Sequence, residues 1–235
     1  MSTASAHDDA TLVDMQQNRS GAFASILIAV TALMFFALLA HPAAGGRHGL
    51  SGQELLARLY EARSHLGGMH AAAIAFELAA LTCILAFCRL LGFDRPLPAF
   101  AAVAFCAATA GICVAASFDG FLIPAFAAPH LTLGGGAPLD MQAAIAGGAI
   151  IIQYATKFAI LLTALGIILL SLEPVVMREL RALALCGLVL AIAQIAALFA
   201  FQVLTPHNVA FSALPILIWQ LVLGLFWRAH RVSSA

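Results

Sequence analysis

Six apolar runs, each about as long as a bilayer is thick and separated by polar connections, constrain this chain more than any other feature. A helix rises 1.5 Å per residue, so about 20 apolar residues cross the roughly 30 Å hydrocarbon core. The runs fall at about 21–40, 67–91, 98–122, 145–172, 182–204 and 209–227. A soluble core cannot absorb them. Of 235 residues, 63% are hydrophobic and 9% charged, against about 25% charged in soluble domains. The expected fold is all-α, an integral membrane bundle of six transmembrane helices over residues 21–228. Zero net charge without a basic block excludes a nucleic-acid partner. The bilayer is the partner the composition demands.

The polar segments organise the rest. Residues 1–20 carry Asp8, Asp9 and Asp14 and predict a mobile cytoplasmic tail, as do residues 229–235 at the other end. The long acidic lead-in argues that the first run is a retained span rather than a signal peptide. The connection from His41 to His70 opens with a Pro/Gly-rich turn. Ser51 and Glu54 then have capping-box spacing, and Leu55, Leu56 and Leu59 form one apolar face. This predicts a short amphipathic helix, Gly52–Arg63, on the membrane surface in the first outer loop. Gly134-Gly135-Gly136 lacks a following G-K-[ST] and is expected to be a linker, not a phosphate loop. Trp227, Arg228, His230 and Arg231 predict an interfacial anchor at the end of the last span.

Six spans put both termini on one side. Arg19, Arg89, Arg95, Arg178, Arg181, Arg228 and Arg231 lie there, against Arg47, Arg58 and Arg63 on the other. The excess predicts cytoplasmic termini. His41, His48, His65, His70, His130 and His207 then all fall on the outer side.

Charges inside the spans are the candidates for function. Lys157 is the single lysine, and Gln153 and Tyr154 precede it by four and three residues, hence on one helical face. Counting 1.5 Å per residue places Glu77 near the midplane and Lys157 and Asp119 further out. A Lys157 ammonium needs a carboxylate, and Glu77 and Asp119 are those at comparable depth. His70 lies seven residues before Glu77, on the same face and about 10 Å further out. The expected site is a polar cavity opening outward, lined by His70, Glu77, Asp119, Gln153, Tyr154 and Lys157. Gln194, Gln202 and Gln220 add amides that could face it, and Gly147-Gly148 a flexible point opposite Asp119-Gly120. The bland alternative is that the same groups staple helices together.

Specific chemistries find little support. The metal candidates His41, His65, His70, His130 and His207 lack H-x-x-x-H or H-E-x-x-H spacing. Membrane cytochromes use paired histidines within helices, whereas here only His70 is placed on one. A Schiff base on Lys157 does not fit six spans, and G-x-S-x-G is absent. No motif requires a cofactor. The five cysteines lie in apolar runs without C-x-x-C spacing and are expected to be small buried apolar residues.

Three features carry a resemblance over roughly the first half: His41-Pro42 after the first span, His70 opening the second, and Phe118-Asp119-Gly120-Phe121-Leu122-Ile123-Pro124 ending the third. In these the chain resembles a broad set of bacterial six-pass inner-membrane proteins to which no activity is assigned. The resemblance implies a bacterial inner-membrane location and singles out His70 and Asp119. The function expected is binding or carrying a small ligand at a periplasm-facing polar site. The alternatives are a membrane oxidoreductase or metal/haem protein using the outer histidines, and a structural or accessory subunit.

Overall fold

The structure, a computed structural model, describes residues 21–38, 52–127, 139–201, 203–204 and 206–230. The expected terminal tails (apart from residues 229 and 230), the Pro/Gly-rich turn and the triple-glycine linker lie outside the described residues, as do His41, His48 and His130.

Among the described residues the fold is all-α, and six helices are long and apolar enough to cross a membrane. They are α1 (Gly21–Leu38), α2 (Gly52–Leu91), α3 (Pro96–Ser117), α5 (Leu139–Ser171), α7 (Arg181–Ala200) and α8 (Pro206–His230). A π-turn (Phe118–Leu122) and α4 (Ile123–Ala127) prolong α3. The short α6 (Pro174–Glu179) links α5 to α7.

Local chemistry sets the boundaries. Gly92 ends α2 with a positive φ of 97°, a conformation that suits a residue without Cβ. Its N–H donates to Cys88 O and Arg89 O, both at 3.1 Å. Proline then opens α3 at Pro96 and α6 at Pro174, where a missing N–H costs nothing. Buried Glu173, just before Pro174, accepts from Arg95, just before Pro96, at 3.2 Å. This ion pair ties the α2–α3 and α5–α6 connections together.

The segment Gly52–Arg63 is helical but not a separate surface helix. It is the first part of a 40-residue α2. Ser64–His70 contains glycines but no proline, so nothing breaks the hydrogen-bond ladder where a turn onto the membrane surface would be needed.

The core is built on α5, which packs against α3, α7, α8 and the π-turn. Its heart is aromatic. Trp219 stacks on Phe105 at 5.8 Å between centroids, and Trp227 meets Phe87 at 5.4 Å and Phe23 at 6.4 Å. Trp227 is therefore a buried core residue rather than an interfacial anchor: it joins α1, α2 and α8 at the end of the bundle that carries Gly21 and Leu91. All five cysteines are free, but only Cys83 and Cys88 are buried; Cys106 is exposed on α3, and Cys113 and Cys186 are intermediate. The outside of the bundle is apolar, with Phe100, Val103, Val189, Ile192 and Phe199 each more than 60% exposed. A surface of this kind belongs in contact with lipid.

Candidate functional site

Asp119 reaches His70 because α3 abandons α-helical hydrogen bonding where Pro124 would disrupt it. A proline ring clashes with the carbonyl four residues back, here that of Gly120. The chain answers by widening: Ile123 N–H donates to Phe118 O, five residues back. The expected break is thus a π-turn, a feature that recurs at functional sites. Gly120 sits on the inner curve of the turn against α2. A Cβ at this position would lie 2.5 Å from His70 Cβ and 2.6 Å from its Cγ, so only glycine lets the two segments approach so closely. Gly148 of α5 packs behind the turn against Ile123 and Phe118.

Hydrogen bonding fixes the protonation pattern of the His70–Asp119 pair. Nδ1 of His70 lies 2.8 Å from Leu66 O. A carbonyl only accepts, so Nδ1 carries a proton. Nε2 lies 3.2 Å from Asp119 Oδ2. It either donates to the carboxylate as imidazolium or accepts from a protonated Asp119. Either way the pair holds one proton between its facing atoms and is neutral overall. His70 is nearly buried, with 10% of its side chain exposed, whereas Asp119 is 30% exposed. His70 lies 21 residues from the Leu91 end of α2, or about 31 Å, a distance equal to a hydrocarbon core of about 30 Å.

A second polar locus lies deeper. Glu77 lines a small cleft with Thr109 of α3, Thr163 of α5 and Gln220 of α8, floored in part by Phe105. Thr31 of α1 touches Gln220 from behind. Glu77 lies on the same face of α2 as His70, about 10 Å along the helix.

The remaining candidates go elsewhere. Gln153 does not turn to His70 or Asp119. Its amide donates to Leu204 O at 2.7 Å and accepts from Leu204 N–H at 2.9 Å, clamping the α7–α8 connection to α5. Tyr154 is 70% exposed, on the outer surface of the bundle. Lys157 is half-buried on α5. It has an interaction of its own there, and the side-chain partner seen for Asp119 is His70.

Sequence reasoning flagged Gln194 and Gln220 only as extra amides. Both are buried, and neither amide atom of Gln194 has a partner among the described residues. Thr109, Thr163 and Thr31 were missed, because a threonine that returns its proton to the preceding helical turn is common in apolar spans.

For metal or haem, His65 is exposed and His70 is taken by Leu66 and Asp119, while the His207 side chain lies outside the description. Among the described residues no three His, Cys, Asp or Glu side chains converge. No protein-family model, curated protein or solved structure matches the chain.

Proposed function

We propose that the chain is a bacterial inner-membrane protein with cytoplasmic termini that binds or carries a small polar ligand at a periplasm-facing site centred on His70 and Asp119. The observation that carries this is the π-turn. The chain departs from regular helix, and keeps a glycine against the imidazole, at the point where a carboxylate meets a histidine at the outer edge of the hydrocarbon. The neutral pair can donate or accept one proton, and the exposed share of Asp119 offers a ligand a polar anchor. The arginine excess on the inner side and the resemblance of the first half support the orientation and the membrane.

The test is a thermal-stability screen of the full chain in mild detergent against amino acids, small carboxylic acids, amines and sugars. A ligand present at a hundred times its Kd stabilises by about 2.7 kcal/mol. One compound class should raise the midpoint of the natural protein and leave His70→Gln and Asp119→Asn unmoved. If no compound discriminates the natural protein from both variants, the ligand-binding role fails. A structural role is the second reading, favoured by Gln153, which spends both its amide groups on the Leu204 backbone. In that case His70→Gln, Asp119→Asn and Gln153→Leu all lower the midpoint with no ligand able to restore it.

A further inference from the structure

Glu77 is a carboxylate near the middle of a span, about 21 Å from the inner end of α2. Among the described residues it has neither an ion pair nor a hydrogen bond. A bare negative charge at this depth is expensive, so something must neutralise it.

The groups around it decide what. Thr31 Oγ1 lies 2.7 Å from Leu27 O and 3.1 Å from the atom placed as Gln220 Oε1. A hydroxyl has one proton, and the shorter contact, to a carbonyl that only accepts, takes it. The longer contact is then a hydrogen bond only if the amide NH2 of Gln220 faces Thr31. Oxygen and nitrogen of an amide are exchanged by a simple flip. That flip turns the Gln220 carbonyl oxygen away from Thr31, and Gln220 lines the cleft. Thr163 likewise gives its proton to Ala159 O at 2.9 Å and keeps its lone pairs. With Glu77 and the Thr109 hydroxyl, the cleft gathers oxygen acceptors from α2, α3, α5 and α8 and no cationic side chain.

We propose that Glu77, Thr109, Thr163 and Gln220 form a binding site for one small monovalent cation, a proton or a sodium ion. A proton makes Glu77 a neutral acid that donates to one of the surrounding oxygens. Sodium takes the same oxygens as ligands, as hard cations do. The enclosed part of the cleft is about the size of one water, which suits either and excludes an organic ammonium. A divalent ion is disfavoured, since one carboxylate would leave a net positive charge in hydrocarbon. The proposal does not rest on ligand binding at His70, and its test needs only salt and acid.

Unfolding midpoints of the full chain in mild detergent are measured as sodium chloride replaces choline chloride at constant ionic strength, at mildly acidic and mildly alkaline pH. The same samples give infrared spectra of the carboxylic-acid C=O stretch. A sodium site predicts a midpoint rise of several degrees with sodium, smaller in acid where protons compete, and loss of the acid band as sodium is added. A proton site predicts an acid band that disappears only at alkaline pH, with no sodium effect. Glu77→Gln should abolish whichever dependence is found, and Asp119→Asn should keep it. Gln220→Leu should weaken sodium binding about tenfold. A natural protein with neither a sodium-dependent midpoint nor an acid band that survives Asp119→Asn overturns the proposal. This outcome is readable without the Glu77 variant, should that variant fail to fold.

Discussion

Gln194 carries two polar atoms into the bundle interior, and neither meets a partner among the described residues; the Ser212 hydroxyl is in the same position. The two lie six residues from the facing ends of α7 and α8, Ala200 and Pro206, and so at matching depth in the hairpin. A buried polar group without a hydrogen bond costs about 1–3 kcal/mol. If the site is dry, Gln194→Leu should raise the unfolding midpoint by several degrees, and Ser212→Ala should be neutral or favourable. If a water bridges the two, both substitutions should destabilise, and the double variant should cost less than the sum of the singles. Single residues were unevenly legible in the sequence. A histidine, a glutamate and an aspartate in apolar runs stand out because charge is rare there. Which of them meet does not, because depth along a helix can be counted but rotation about its axis relative to neighbours cannot. Depth left both Glu77 and Asp119 open as partners of Lys157, and it did not announce that Asp119 meets His70. Tyr154 and Lys157 are three residues apart, yet Tyr154 faces outward while Lys157 is half-buried.

At the scale of the element, the π-turn sets the His70–Asp119 contact, and Gly120 is the residue on which the turn depends. Gly120→Ala puts a methyl within 2.6 Å of two His70 carbons. Those carbons lie at the root of the side chain and cannot swing away. Overpacking of this kind costs about 1–3 kcal/mol, so the variant should unfold several degrees lower. Its ligand response in the thermal screen should be lost together with that of Asp119→Asn. Gly147→Ala, a neighbouring helical glycine with nothing within 4 Å of its added Cβ, is the control and should be neutral or stabilising. The helices themselves were legible from apolar run length alone, because lipid leaves a spanning chain few other structures. Their ends were less so. Proline at position 124 announced a break, but whether the ladder snaps or widens depends on what packs against it, here His70 and Gly148. The amphipathic pattern of Gly52–Arg63 announced a helix but not its fusion to the next span.

At the scale of the molecule, the helices are unequal in a directional way. The inner ends of α2, α3 and α5 are tied together by the Arg95–Glu173 pair, and Trp227 gathers α1, α2 and α8 at the same end. From that level α2 runs for 40 residues and α5 for 33, about 60 and 50 Å, whereas the 20 residues of α7 reach only about 30 Å. The length of α7 matches a hydrocarbon core of about 30 Å. The excess of α2 and α5 therefore extends beyond that length at the end opposite the Arg95–Glu173 pair, and the His70–Asp119 pair lies at the base of this extension. Ser64, 27 residues from the inner end of α2, is about 40 Å out and exposed. In a variant whose five native cysteines are replaced, Ser64→Cys should react in intact cells with a charged maleimide that cannot cross the membrane. Asp94→Cys, exposed in the α2–α3 connection, should react only after permeabilisation. The reverse result would invert the molecule and turn the His70–Asp119 site to the cytoplasm. Protection of both positions would mean that the projecting helices are buried against a partner or tilted into the bilayer, and the site could not then open to water on either side.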